Sequence, residues 1–279
     1  MITQHNRKST WTLKSSFGFL GYALVEHPSL WYNINWARTE GPRPNLCERR
    51  ARFMEIFWLG HSCFQLRGKH GIVITDPFSP QQDSSSGELQ QLSKLSAPIV
   101  TVSHNHPGHN NASVIGGNPR VVRGPGEYEI SDVLISGVAS FHDDQRGQLY
   151  GRNTIYVIHM DDLVICHLGD LGHTLQEEQL EEVADADVLL LPIGGQHSIN
   201  ATQAAEVISQ VEPRIVIPMH YPLATGDAIT QGTPPAPSSD PLTKFCREMG
   251  IVTPNPQPKL VVTRNTLPPE MQIVILSPR

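Results

Sequence analysis

No stretch of the chain runs for 18 or more apolar residues, so no segment reads as a transmembrane helix and no membrane association is expected. Cysteine is scarce. The four present (Cys47, Cys63, Cys166 and Cys246) lie far apart and form no C-x-x-C pair. That argues against a disulfide framework and fits a reducing, cytoplasmic compartment. Cys63 and Cys166 fall inside strand-like runs and read as small core residues rather than nucleophiles. Positive charge is not in excess: 21 Lys and Arg stand against 27 Asp and Glu, a net charge of −6. This argues against a broad nucleic-acid-binding surface, though not against a local basic patch. A clear secretory leader is missing too. Phe17–Val25 is apolar and follows basic residues, but Glu26-His27-Pro28 comes next without a small-residue cleavage site. No repeat of 20 to 50 residues is visible, which argues against a solenoid.

What is present divides at Met54. Residues 1–52 mix Trp, Asn, Pro and Arg without periodicity, and read as an irregular extension with little order of its own. Residues 53–279 read as one domain. There, short apolar runs predict strands at 54–60, 63–67, 72–75, 97–102, 120–123, 133–139, 153–159, 162–167, 187–191, 214–218, 259–263 and 271–276. Helix signals are fewer. Thr174 is placed to cap Leu175–Val183 with Glu177 completing a capping box, Asn200 to cap Ala201–Gln210, and Pro241–Met249 to end at Gly250. Residues 226–240, rich in Gly, Pro and Ser, read as a surface loop. The early strands lack intervening helices while the later ones alternate with them. This predicts an α/β fold of two sheets packed face to face with helices outside. A doubly wound parallel sheet is the alternative, but the G-x-G-x-x-G turn expected after its first strand is missing.

Thirteen histidines are present, and their placement matters more than their number. His104-Asn105-His106-Pro107-Gly108-His109 puts three imidazoles directly after the strand-like run Ala97–Val102. Residues two apart on an extended chain point to the same side, so His104 and His106 can aim at one point. The Pro107-Gly108 turn can swing His109 back toward it. Neutral imidazole is the commonest side-chain metal ligand near neutral pH. Four more such residues follow apolar runs: His142, Asp170, His173 and His220. Strand ends on one sheet edge converge in space, and His plus carboxylate ligands with open positions describe a catalytic metal site rather than a closed structural one.

At this point the sequence resembles the metallo-β-lactamase fold superfamily, and within it the small metal-dependent hydrolases that include relatives of L-ascorbate-6-phosphate lactonase. The resemblance spans about residues 54–276. It rests on the order and spacing of Trp58-Leu59-Gly60-His61-Ser62, Thr75-Asp76-Pro77-Phe78, the triple-His run, Phe141-His142-Asp143, His167-Leu168-Gly169-Asp170, Leu191-Pro192-Ile193-Gly194-Gly195 and Pro218-Met219-His220-Tyr221. It implies a four-layer αββα sandwich with a metal pair at one edge. His104, His106 and His142 would hold the first metal, His109 and His220 the second, and Asp170 would bridge them. The cofactor would be one or two Zn2+ ions, with Mn2+ or Fe2+ as alternatives. Water activated between the metals would attack an ester, lactone, amide or phosphodiester of a small-molecule substrate. Asp170 and His61 are the candidate catalytic residues, His61 as a donor or pocket wall. Asp76 would lie beneath the site and orient a ligand histidine. His167 would either do the same or fill the core.

One position departs from the family pattern. H-x-H-x-D-H has an Asp, which ligates the second metal and orients the water, where this chain has Gly108. The rival reading is therefore a catalytically weakened or non-enzymatic metal- or ligand-binding member of the same fold. His173 and His197 read as solvated or pocket-rim residues, and Asp143 and Asp144 as surface-loop residues.

Overall fold

The computed structural model of the protein describes residues 53–79, 91–195, 197–222 and 240–279. All belong to the unit Leu46–Arg279. The expected irregular extension, residues 1–52, and all but the last residue of the loop predicted at 226–240 lie outside the described residues. Among the described residues no helix is long and apolar enough to cross a membrane.

The strands are β1 (Met54–Gly60), β2 (Cys63–Arg67), β3 (Ile72–Thr75), β4 (Ile99–Val102), β5 (Arg120–Arg123), β6 (Gly126–Ile130), β7 (Val133–Phe141), β8 (Arg152–Met160), β9 (Leu163–His167), β10 (Val188–Pro192), β11 (Ile215–Met219), β12 (Leu260–Val262) and β13 (Gln272–Ile273). The helices are α1 (Glu177–Val183), α2 (Ala201–Val211) and α3 (Pro241–Glu248). The strands form two mixed sheets, ordered β12-β1-β2-β3-β4-β5 and β13-β11-β10-β9-β8-β7-β6. This is the expected sandwich rather than one doubly wound sheet.

Alternation along the first sheet explains the packing. Ile56, Trp58, Phe64, Leu66, Val73 and Ile99 enter the core shared with the second sheet. The intervening Cys63, Ile74, Val100 and Val102 face a smaller cluster with Phe78, Leu92, Ala112 and Ile115. Every residue of β10 and β11 is buried, as expected of parallel strands covered on both faces. Val183, Ala204, Val207, Ile208, Val211, Phe245 and Cys246 bring the three helices into the same core.

Several expectations need correction: strand β4 begins at Ile99 rather than Ala97, β13 covers only Gln272–Ile273 of the expected 271–276, and one helix start and one further strand differ as follows. Helix α1 begins at Glu177 after Gln176, not after Thr174. Leu175 is tied down through both its N–H and its carbonyl by the Gln210 side chain, 3.1 and 2.9 Å away, so it cannot open a helix. Gln179 Oε1 then accepts from the Gln176 N–H at 3.1 Å, and its Nε2 donates to the Ala139 carbonyl of β7 at 2.7 Å. Strand β6 was not predicted, because Gly126-Glu127-Tyr128-Glu129-Ile130 buries little. It is an edge strand held by antiparallel pairing with β7.

The topology sets where polar residues gather. β3 and β4 are parallel, as are β9, β10 and β11. β7 and β9 both run antiparallel to β8 and hence parallel to each other. The carboxyl ends of β7, β9, β10 and β11 therefore share one edge. The sheets are joined there: the Tyr156 hydroxyl donates to the Val102 carbonyl at 2.9 Å, and the Thr154 N–H to the Ser103 carbonyl at 2.9 Å. Ligand sites in α/β sheets form outside the carboxyl ends of strands.

Candidate metal centre

The turns after β4, β7, β9 and β11 bring His104, His106, His109, His142, Asp170 and His220 together. The Asp170 Oδ2 atom lies at their centre: His109 Nε2 is 3.0 Å away, His142 Nε2 and His220 Nε2 are each 3.3 Å away, and His104 Nε2 is at 3.8 Å. The ligand atoms of His104, His106 and His142 fall within 4.8 Å of one another, and so do those of His109, Asp170 and His220. His104, His109, His142 and Asp170 are buried, His220 is partly exposed, and His106 faces solvent. The cluster is therefore open on one side.

Hydrogen bonds fix the tautomers. Asp76, fully buried, accepts from the Ser103 N–H at 2.7 Å, from the Ser103 hydroxyl, and from His109 Nδ1 at 2.9 Å. The single hydroxyl proton of Ser103 goes to Asp76, so Ser103 Oγ must accept from His104 Nδ1, 2.9 Å away. Both rings thus carry a proton on Nδ1 and aim Nε2 at Asp170, that of His104 as a bare lone pair. His104 Nε2 is buried with no hydrogen-bond partner among the described residues. A buried lone pair beside a carboxylate oxygen is costly unless a cation stands between them. Tetrahedral coordination with bonds of about 2.0–2.1 Å places neighbouring ligand atoms ~3.3 Å apart, close to the spacings found here. The donor set fits a divalent cation. A third group, Asp76 with His104 and His109, also lies within 4.8 Å, but its atoms are engaged in the hydrogen bonds just described.

The charge states agree with this. Burial opposes ionisation of Asp170, but His109 and His220 outweigh it and hold its carboxyl well below the usual range. Burial would also discharge His109, yet Asp170 and Asp76 raise its pKa to about 10. Burial and then the neighbouring His109 push His104 down to about 3, which keeps it neutral. Without a cation, the site holds a proton at His109 between two carboxylates.

The supporting residues are equally specific. Ser62 Oγ donates to Asp170 Oδ1 at 3.3 Å, and Asn153 Oδ1 accepts from the Asp170 N–H at 3.1 Å. His167, fully buried, accepts from the Gly169 N–H at Nδ1 and donates to the Ser62 carbonyl at 2.8 Å. It thus joins the two segments that present Asp170. The exposed His61 ring lies 4.9 Å from Phe78 and 6.3 Å from His220 between ring centroids, outside all three groups. Its carbonyl accepts from the His220 N–H at 3.2 Å. His61, Asp76 and His220 all hold positive φ, at 48°, 39° and 55°. Such strain in non-glycine residues clusters at functional sites. Gly108 supplies no donor.

Two expectations are corrected. Asp143 is buried, and its carboxylate accepts from four backbone N–H groups: Gln145 and Gly147 on Oδ1, Leu149 and Tyr150 on Oδ2, at 2.7–2.9 Å. The D-D-Q-R-G-Q-L-Y-G stretch carried the signal, since Asp commonly caps its own following turn. His173 is not a solvated rim residue. Its Nε2 accepts from the Phe141 N–H at 3.2 Å and its Nδ1 donates to the Thr174 carbonyl at 2.7 Å, pinning the end of β7. Asp144 is exposed, and so is His197. Ser62, Ser103 and Asn153 were not singled out, because serines and asparagines near strand ends are too common to mark a site.

Comparison with known proteins covers the same residues. A family model described as a β-lactamase superfamily domain matches residues 55–220. The chain is 28% identical over 193 residues to a metal-dependent hydrolase of Thermococcus onnurineus, covering 60% of this chain and 84% of that protein. It is 26% identical over 191 residues to one of Thermoplasma acidophilum, covering 60% and 83%. A solved structure from Thermotoga maritima, of the metallo-β-lactamase superfamily, is 30% identical with a TM-score of 0.59, covering 80% of this chain and 98% of its own.

Proposed function

The chain belongs to the metallo-β-lactamase superfamily, and from that premise we propose that it is a metal-dependent hydrolase of small molecules carrying an ester, lactone, amide or phosphodiester bond. The observation that carries this reading is the partnerless, buried Nε2 of His104 facing Asp170 among the Nε2 atoms of three other histidines. His104, His106 and His142 would hold one cation, and His109, His220 and Asp170 a second. Zinc suits a set of imidazoles and one carboxylate, with Mn2+ or Fe2+ as alternatives. A divalent cation supplies Lewis acidity there: it makes water a better nucleophile at neutral pH and polarises the substrate oxygen.

The chain's own residues do the rest. Ser62 fixes the rotation of Asp170 through Oδ1, leaving Oδ2 for the site. Asp76 orients His109 and, through Ser103, His104. The Nδ1–H bonds of both rings are thus set before any ligand arrives. His61 stands on the His220 side, where we assign it a proton to donate to the leaving group. The exposure of His106 leaves that side open to a small substrate. A cytoplasmic location is in keeping with Cys63, Cys166 and Cys246, which are buried and unpaired.

Gly108 favours one second reading, a member with a single well-held cation and little or no turnover. Metal analysis of protein purified without added metal, with a panel of 4-nitrophenyl esters, lactones and phosphodiesters, separates the two. Hydrolysis of one class, abolished by chelation and by His104→Ala, is expected. A metal-loaded protein inert toward every class favours the second reading, and a protein that binds no divalent metal overturns both.

A further inference from the structure

The loop from Asp143 to Gly151 is built with a care that holding a metal does not explain. The Asp143 carboxylate gives all its acceptor capacity to four N–H groups of that loop. The loop is closed at its base, where the Gly151 carbonyl accepts from the His142 N–H at 3.0 Å and the Gly147 carbonyl from the Gly151 N–H at 3.1 Å. Gly172 packs beneath it so tightly that a Cβ there would lie 2.3 Å from the His142 carbonyl carbon and the Asp143 nitrogen. This rigid loop presents Leu149, 59% exposed, and Tyr150, 39% exposed. Two adjacent large apolar side chains left in water at the end of a braced loop call for an explanation.

Tyr150 does not point away from the site. Its ring centroid is 5.5 Å from that of His142, and 4.9 Å from that of His197, which meets it edge-on. His197 comes from the separate turn between β10 and α2. Tyr150, with His197 behind it, thus stands on the His142 side, while His61 and Phe78 stand on the His220 side. No residue of the Tyr150 wall is needed to hold a cation.

We propose that Tyr150, held by the Asp143 clamp and backed by His197, is a specificity-determining residue that packs the apolar, planar part of the substrate, with Leu149 extending the same wall. This rests on the hydrolase reading and narrows it: the preferred substrates carry an aromatic or extended apolar group next to the bond that is cleaved. A tyrosine in this position offers a flat face at small conformational cost.

The test compares wild type with Tyr150→Ala, Tyr150→Phe and Asp143→Asn in the metal-loaded protein. One readout needs no turnover: binding of benzoate against acetate, followed by ligand NMR. Wild type should prefer benzoate, Tyr150→Phe should keep the preference because the ring face remains, and Tyr150→Ala should lose it. Asp143→Asn should lose it too, with faster amide exchange at residues 145–150. For 4-nitrophenyl benzoate against acetate, Tyr150→Ala should lower kcat/KM for the benzoate roughly tenfold more than for the acetate, through KM, with metal content unchanged. Equal benzoate preference in wild type and Tyr150→Ala overturns the proposal, whether or not either ester is hydrolysed. Absence of turnover across the whole panel of esters, lactones and phosphodiesters, with the binding preference intact, overturns the hydrolase reading and leaves the wall standing.

Discussion

Restoring a carboxylate at position 108 tests the weakness proposed for the second site. Gly108 lies outside the left-handed region of backbone space, and a Cβ built on it meets nothing within 4 Å among the described residues. The neighbouring bonds, His109 N–H to the His106 carbonyl and Ser79 N–H to the Pro107 carbonyl, each 2.9 Å, leave the position 108 side chain unconstrained. Gly108→Asp therefore introduces no steric strain. Replacing a glycine at a compatible backbone position stabilises by about 0.4–1 kcal/mol through the unfolded chain. Repulsion from the buried, ionised Asp170 and Asp76 offsets part of that gain in the metal-free protein, so the stability of the metal-free variant should stay near wild type.

With metal the sign is clear. An anionic donor added beside His109, His220 and Asp170 completes a set that has only three protein ligands. Removing a group that merely orients a ligand weakens metal binding about 10–100-fold, and a direct ligand should count for at least as much. A change of that size corresponds to about 1.4–2.8 kcal/mol. Zinc titration against a competing chelator should give one tight and one weak equivalent in wild type, and two of comparable strength in Gly108→Asp. The melting temperature of the variant should then rise further than that of wild type as zinc is added. Two tight equivalents in wild type would refute the reasoning, since another group would already fill the gap. So would a well-folded variant whose second equivalent is unchanged.

Three further outcomes follow from the packing and the charges. Gly172→Ala should destabilise the fold by roughly 1–3 kcal/mol or more, measured by urea unfolding, because its Cβ would fall 2.3 Å from backbone atoms of His142 and Asp143. Burial opposes the Asp143 charge, but the four N–H groups hold its pKa down to about 2, from an ordinary 3.8. Its folded value is depressed, so the clamp is fully present above about pH 4 and is lost as pH falls through 2; amide exchange at residues 145–150 should rise in that window beyond the intrinsic rate, and a flat profile would argue against the clamp. Burial raises the Cys63 and Cys166 pKa values, so both thiols should stay unlabelled by a maleimide in the native protein and react only on unfolding; rapid native labelling at either would contradict the core assignment.

The parts of this molecule legible from sequence are those whose signal is local. Short apolar runs placed β1, β2 and β3, and the Asn200 cap placed the start of α2, because each depends on residues close together in the chain. The cluster of His104, His106, His109, His142, Asp170 and His220 was legible for another reason. Histidines and a carboxylate directly after apolar runs are uncommon, and parallel strand order carries them to one edge. What stayed hidden depends on pairs distant in the chain. Ser62 meets Asp170 across 108 positions, and Asn153 takes the Asp170 N–H across 17, whereas Asp76, expected to orient a ligand histidine, does hold His109. Nothing near Ser62 marks it as the residue that turns the carboxylate. Asp143 shows the same limit from the other side. An acidic residue in a polar, Gly-containing stretch reads as solvated on composition; its place before a turn signals a cap, but the number of N–H groups converging on it, four, shows only in the folded loop. Burial here follows from the hydrogen bonds rather than from hydropathy. A carboxylate with its acceptors filled by backbone can leave water at small cost, whereas His104 Nε2, buried without a partner, cannot. That difference separates a residue that builds the loop from one that awaits a ligand.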